Sequence, residues 1–127
     1  MIKLIVSALT AAGLALAANL ALKRTGTRSI TFFGPVLEES LKTGAAFFYG
    51  VSVPGTHLLF GVLESLADFA WGGRRKLAAA LSGVVAHTVF GLVAYFLIKA
   101  GLPGYTAVLG SIAVHMAWNG AVIRISR

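Results

Sequence analysis

Cysteine is absent from the 127-residue chain, and acidic residues are rare, with four of them against eleven lysines and arginines. The missing thiols exclude cysteine proteases, thiol redox enzymes and disulfide-stapled folds, and they leave the compartment undecided. Only 12% of the residues are charged, whereas soluble domains carry roughly a quarter. A soluble protein of this composition would have too little polar surface to cover itself, so a membrane protein is the better interpretation.

The apolar residues form five long runs. Hydrophobic residues make up 57% of the chain, and the mean hydropathy is +0.86. Because a transmembrane helix needs roughly 20 residues and open strand edges cannot persist in hydrocarbon, each run is predicted to be a membrane-spanning helix. The sequence therefore predicts one all-α membrane domain over residues 1–127, a polytopic bundle of about five spans. The predicted spans are 2–22, 30–52, 56–72, 77–98 and 104–123.

The basic residues lie mainly outside these runs. Residues 23–29, 73–76 and 124–127 hold eight of them, and the opposite side of the bundle holds Lys3 and Lys99. The positive-inside rule then places the N-terminus outside and the C-terminus in the cytoplasm. The net charge of +7 is explained by flanks that face anionic lipid, so it requires no nucleic acid.

Residues 2–22 have a second interpretation. A basic start, an apolar run and small residues near Ala15 and Ala17 are typical of a cleaved signal peptide. The basic residues of 23–29 follow immediately, however, and such a flank resists translocation. A retained first span is therefore favoured.

The acidic residues and two histidines indicate a buried site. Placing a charge near the middle of a span costs on the order of 2.5–3.5 kcal/mol, so such residues are rare and usually functional. Counted from the cytoplasmic end of each span, Glu38, Glu64, His87 and His115 share one layer, roughly 12–15 Å deep. Four helices thus deliver an ionisable group to one depth. Every carboxylate of the chain lies inside a predicted span: Glu38, Glu39, Glu64 and Asp68.

Helical spacing suggests what this layer can do. Glu38 and Lys42 are four residues apart and can pair, and His115 and Asn119 share a face for the same reason. An ionised glutamate held against water is a general base, while imidazole and amide donors can stabilise an oxyanion. Glutamate and histidine can also bind zinc. The sequence predicts hydrolysis inside the membrane.

Four motifs occur in order along the chain: EExxK at 38–42, FxxxE at 60–64, the lone His87, and HxxxN at 115–119. This order resembles the PrsW-like branch of the CAAX-protease and bacteriocin-processing superfamily of intramembrane proteases. The resemblance covers residues 30–123 and implies a four-helix core with one motif on each helix. It implies an endopeptidase that hydrolyses a membrane protein or peptide substrate, in a prokaryotic-type plasma membrane, with its active-site layer in the cytoplasmic half.

The resemblance also implies roles for individual residues. Glu38 would activate water, and Glu39 would pair with Lys42 or support the base. His87 would orient the water or bind a metal. His115 and Asn119 would form the oxyanion hole, and Lys42 and Phe60 would have supporting roles. The implied catalytic set is Glu38, Glu39, Glu64, His87, His115 and Asn119. No cofactor is needed in a glutamate-type enzyme, whereas a metallo-type would use zinc, with Glu38, Glu64, His87 and His115 as candidate ligands.

Two other functions remain open. Buried acids and histidines also mark proton or ion paths in small transporters, although a transporter is expected to place its charges at different depths. A non-catalytic scaffold of the same fold is the second alternative. The substrate, the use of a metal and the oligomeric state are undetermined, and a homo-oligomer is compatible with the sequence.

Several polar or small residues have structural interpretations instead. Pro35 is expected near the start of its span, where a missing amide costs least, and His57 is expected at the outer interface. Gly83 and Gly91 are expected to let helices pack closely. Glu64 has a loop arginine such as Arg74 as an alternative partner.

Overall fold

The computed structural model describes residues 1–22, 27–71 and 76–125, except for the side chains of 27–31, 68 and 71. These residues form five helices and no strand, so the all-α prediction is confirmed. The predicted boundaries differ from the observed ones by three residues at most. The helices are α1 (Ile2–Leu22), α2 (Thr27–Tyr49), α3 (Val53–Trp71), α4 (Lys76–Lys99) and α5 (Gly104–Ile125).

Three of the described helices, α1, α4 and α5, are long and apolar enough to cross a membrane. The other two are of comparable length, 23 residues for α2 and 19 for α3. They carry the acidic residues of the chain, which makes them more polar. The structure is thus that of an all-helical protein with at least three segments suited to lipid, consistent with an integral membrane protein.

Two glycines end helices on the same side of the bundle. After α2, Gly50 has φ +62°, and the amide of Val51 donates to the carbonyl of Ala46 at 2.9 Å. After α4, Gly101 has φ +79°, and Leu102 donates to Leu97 in the same way. These are Schellman motifs, which need a left-handed residue that glycine adopts without strain. They allow connections of only a few residues between antiparallel helices.

The helices α2, α3, α4 and α5 pack in a ring, each against its two neighbours. Helix α1 lies outside the ring, against α2 and α3. Its first half is held by hydroxyl groups, because Ser7 Oγ lies 3.2 Å from Thr56 Oγ1 and Thr10 Oγ1 lies 3.3 Å from Tyr49 OH. The centre of the ring is therefore enclosed by four helices, with the fifth closing one groove.

The interior holds charged and polar side chains beside its apolar ones, whereas the outside is apolar. Glu39, Lys42 and His57 are completely buried, whereas large apolar side chains such as Phe48, 82% exposed, face outwards on every helix. Water-soluble proteins rarely expose apolar surface so extensively, while a lipid environment favours it. The distribution of side chains therefore matches a bundle surrounded by lipid.

Close packing of α3 against α4 depends on glycine. A Cβ on Gly91 would lie 2.6 Å from the Cβ of His57, and one on Gly61 would lie 2.9 Å from the Cβ of His87. A Cβ on Gly83 would lie 3.0 Å from Ser65 Oγ. The packing role predicted for Gly83 and Gly91 is confirmed, and it brings the histidines into the interior.

Pro35 is not at the start of its helix. Since α2 begins at Thr27, Pro35 lies more than two turns inside it, and its side chain is fully buried. The expectation that it lies near the start of its span, where a missing amide costs least, is wrong, because the helix begins three residues earlier than the apolar pattern indicated and its first two turns precede Pro35. Its missing N–H removes one backbone hydrogen bond beside the interior cavity described below.

Candidate active site

Lys42 lies at the centre of the ring and is completely buried. Its Nζ lies 2.5 Å from Glu39 Oε1, 2.9 Å from His87 Nδ1 and 3.9 Å from Glu38 Oε2. The ammonium also sits 4.3 Å above the centre of the Phe60 ring, close enough for a cation–π contact. A buried ammonium needs such partners, and here α2, α3 and α4 each supply at least one.

Glu39 is the principal partner of Lys42 and is sealed from solvent. Its side chain is 0% exposed, and Oε1 also accepts a hydrogen bond from His115 Nδ1 at 2.9 Å. The spacing-based expectation that Lys42 pairs with Glu38 is therefore correct only at the longer distance of 3.9 Å. The closer pair is the one three residues apart. Glu39 thus links α2 to α5 and cannot itself contact a substrate.

Glu38, the neighbouring carboxylate, faces a cavity. Its side chain is 9% exposed, and Asn19 Nδ2 donates to its Oε1 at 2.9 Å. The sequence pattern did not single out Asn19, although it is the one asparagine in the run 2–22 and lies in its apolar second half. Helix α1 therefore contributes Asn19 to the site. The Asn19 side-chain amide fixes one oxygen of Glu38, while the other oxygen is directed towards Lys42.

His87 joins Lys42 to Glu64. The ammonium can only donate, so His87 Nδ1 accepts from Lys42 and Nε2–H donates to Glu64 Oε2. The Glu64 side chain is 42% exposed towards the cavity. Its described partner is thus a histidine of α4, while Arg74, the alternative partner, lies outside the described residues. The result is a continuous hydrogen-bonded path from Glu39 through Lys42 and His87 to Glu64.

His115 has a fixed tautomer. A carboxylate accepts, so Nδ1–H donates to Glu39 and the neutral ring carries no proton on Nε2. The ring is held by stacking on Phe90, with centroids 4.6 Å apart. His115 could therefore donate to an oxyanion only as an imidazolium. Asn119, one turn along α5, also lines the cavity and can donate through its amide in any state.

His57 lies near the N-terminal end of α3 and is completely buried, with Nε2 3.2 Å from Thr43 Oγ1 and Nδ1 3.5 Å from Glu39 Oε2. Its position at the outer membrane interface stays a prediction, but the side chain faces other helices because Gly91 allows α4 to cover it. Its place behind Glu39, away from the cavity, makes it a structural neighbour of the buried ion pair.

The cavity has a volume of about 390 Å³ and lies in one half of the bundle. It is reached by side chains from all five helices, among them Asn19, Glu38, Glu64, His87, His115 and Asn119. Its remaining walls include Trp118 and Val122 from the last turns of α5. The six predicted catalytic residues therefore occupy one region: five line the cavity and Glu39 lies directly behind it. Asp68 lies in α3, but its side chain is outside the described part of the structure.

Two groups of described residues bring ligand-type atoms within 4.8 Å of one another. One is Glu38, Glu64 and His87; the other is Glu38, Glu39 and His115. Three ligands that include carboxylate and imidazole are a set that catalytic zinc accepts, so the first group fits a metal ion in its ligand types. A metal on His87 Nε2 would leave the ring proton on Nδ1, so metal binding there would break the hydrogen bond from Lys42. The predicted ligands therefore do not form one site, since His115 groups with Glu38 and Glu39 instead of with Glu64 and His87. A water molecule between the carboxylates of Glu38 and Glu64 fits the same position.

The arrangement combines a base, fixed charge and hydrogen-bond donors around a space of substrate size. Glu38 can accept a proton from a water molecule in the cavity, and Lys42 supplies positive charge about 4 Å behind it. Asn119, on α5, offers amide donors to the same cavity. These are the elements that addition of water to a carbonyl group requires.

Comparison with known proteins yields no relative. No model of a known protein family matches the chain, and neither a curated protein nor a solved structure does so. The chemistry of this site is therefore the basis for assigning a function.

Proposed function

We propose that this protein is an intramembrane endopeptidase, similar to the PrsW-like proteases, in which Glu38 activates a water molecule. The observation that carries the proposal is the division of labour between adjacent carboxylates. Glu38 faces the cavity and is oriented by Asn19, whereas Glu39 is sealed behind it and neutralises Lys42. A purely structural cluster would have no reason to leave one of the two carboxylates in contact with an open cavity.

The proposal includes five membrane spans, with the N-terminus outside and the C-terminus in the cytoplasm. The ring arrangement supports it, since α2 and α3 pack among apolar helices and turn their charges inwards. The cavity is lined by the last turns of α5 and by residues of the first half of α4, next to the basic segments of the chain. The positive-inside rule favours the cytoplasmic half of the membrane for the site, and the resemblance to PrsW-like proteases implies a plasma membrane.

In the proposed reaction, water adds to the carbonyl carbon of a peptide bond while Glu38 takes one of its protons. The oxyanion that forms accepts a hydrogen bond from Asn119. The carbon–nitrogen bond then breaks, and Glu38 returns its proton to the leaving nitrogen, giving a carboxylic acid and an amine. Lys42 stays protonated throughout and offsets the negative charge of the carboxylates. A metal ion held by Glu38, Glu64 and His87 would supply Lewis-acid activation of the water, and the hydrogen bond from Lys42 to His87 would then be broken.

The shared depth of the charged groups favours hydrolysis over transport. The path from Glu39 to Glu64 crosses between helices at one level, whereas a proton or ion path needs groups at successive depths. A water-accessible cavity in one half of the bundle is also sufficient for a hydrolase.

The test compares membrane proteomes. Wild-type protein and Glu38→Gln would be returned, at equal levels, to source cells from which the gene has been deleted, and new protein N-termini would be quantified by mass spectrometry. We expect a set of N-termini that appears with the wild type and is at least about 100-fold weaker with the variant. An identical set of N-termini in the two strains refutes the proposal. Repeating the comparison in isolated membranes with and without a chelator, followed by zinc, decides between the glutamate-type and metallo-type versions.

A further inference from the structure

A second, smaller cavity opens onto the same carboxylates. It lies between α1 and α3, has a volume of about 170 Å³, and shares Asn19, Glu38 and Glu64 with the main cavity. Its other walls are apolar and come from the two helices, with Ala12, Ala15 and Leu16 on one side and Phe60, Leu63 and Ala67 on the other. We call this space the α1–α3 crevice.

We propose that the α1–α3 crevice is the subsite that holds a large apolar side chain of the substrate, adjacent to the peptide bond that is cut. The inference rests on the proposed function, since it names the substrate class of that site. An apolar protein cavity of roughly 150 Å³ is large enough for a benzene-sized group and stays dry when empty. The crevice therefore fits a leucine, isoleucine, methionine or phenylalanine side chain.

The shared residues identify the occupant as peptide. The crevice ends at Glu38 and Glu64, and an acyl chain of a lipid would offer no hydrogen-bond donor to these carboxylates where they face the cavity. A peptide supplies both kinds of group at once, because an apolar side chain can enter the crevice while its own backbone remains beside the carboxylates. The substrate residue whose side chain fills the crevice is then adjacent to the peptide bond at which Glu38 acts.

Small residues give the crevice its width. Ala12 and Ala67 face it from opposite helices, and neither is fully buried. Replacing either with leucine places three more carbon atoms into the space. Enzyme pockets discriminate by roughly 10- to 200-fold between substrates that differ by one methylene group. The effect of either substitution on the preference for large substrate side chains should therefore be measurable.

The experiment uses the same comparison of N-termini, with four strains beside the wild type. Ala12→Leu and Ala67→Leu narrow the crevice from either side. Ala17→Leu is the matched control, since it makes the same change on an exposed position of α1 that does not line the crevice. Glu38→Gln identifies which N-termini depend on the proposed base. Thermal midpoints of the purified variants show whether each is folded.

With the wild type, we expect Glu38-dependent cleavage sites to carry a large apolar residue at one constant position beside the cut bond. In Ala12→Leu and Ala67→Leu, cleavage at large residues should fall at least about tenfold relative to cleavage at alanine, serine or glycine. Ala17→Leu should keep the wild-type preference. If one narrowing variant does not fold, the other gives the result.

The outcomes separate the two proposals. An unchanged preference in folded Ala12→Leu and Ala67→Leu, with Glu38-dependent cleavage intact, overturns the subsite and leaves the protease proposal in place. Equal loss of cleavage at all sites overturns the subsite proposal as well, since such a loss assigns the crevice a role in packing or access. N-termini that do not depend on Glu38 refute the proposed function, and the subsite fails with it.

Discussion

Neutralising the two adjacent glutamates, one at a time, should have very different effects on stability. Glu39→Gln removes the carboxylate 2.5 Å from a completely buried ammonium and leaves Lys42 with only the more distant Glu38 as a charged partner. Breaking a buried ion pair on one side costs about 3–5 kcal/mol. In a chain of this size each kcal/mol shifts the thermal midpoint by roughly 3–5 °C, so we expect a fall of roughly 10–25 °C.

Glu38→Gln is the matched control. The side chain keeps its shape, and the amide oxygen of glutamine can still accept the hydrogen bond from Asn19. Because Lys42 retains Glu39, the expected change in the free energy of unfolding is less than about 1 kcal/mol, the net value of one hydrogen bond. Removal of a like charge next to Glu39 can also raise the midpoint.

The assay is thermal unfolding of the purified variants in one detergent, followed by intrinsic tryptophan fluorescence. A third variant, Glu39→Gln combined with Lys42→Met, should recover much of the lost stability, since it removes the stranded charge. A fall of more than about 10 °C in Glu38→Gln would refute the reasoning, because it would make Glu38 the structural partner of Lys42. Equal midpoints for Glu38→Gln and Glu39→Gln would refute it too.

Three further predictions follow from particular contacts. Asn19→Leu removes the donor that orients Glu38, and we expect it to lower kcat for a cleaved substrate roughly 10- to 100-fold with little change in KM. Asn19→Gln should recover part of the rate. A change confined to KM or to the thermal midpoint would contradict this role. Gly91→Ala should destabilise the protein by about 1–3 kcal/mol because its methyl group would overlap His57. Gly44→Ala is the control, since nothing lies within 4 Å of the added carbon at this position of α2. It should be neutral or slightly stabilising in the same unfolding assay. Gly101→Ala should destabilise by about 1–2 kcal/mol, since φ of +79° is strained for any side chain, and a midpoint equal to that of the wild type would contradict the Schellman geometry.

Much of the fold could be predicted from the sequence because its determinants are local. Long apolar runs can satisfy their backbone groups in lipid only as helices, and the runs ended within three residues of the observed helices. The layer of ionisable residues was also visible, because rise per residue converts position along a helix into depth. Depth alone brought Glu38, Glu64, His87 and His115 to the level at which the structure places them around one cavity.

The partners of these residues were decided by tertiary structure. Spacing along α2 allowed Lys42 to pair with either glutamate, and the choice of Glu39 depends on His115 approaching from α5 and His87 from α4. The burial of His57 and the contribution of Asn19 depend on which helices are neighbours, and Gly91 permits the contact of α4 with His57. Helical periodicity determines the direction of a side chain on its own helix, but the packing of helices determines what that side chain meets. The sequence by itself thus specified five helices and one polar layer, while only the packed bundle separated a sealed carboxylate from one that faces a cavity.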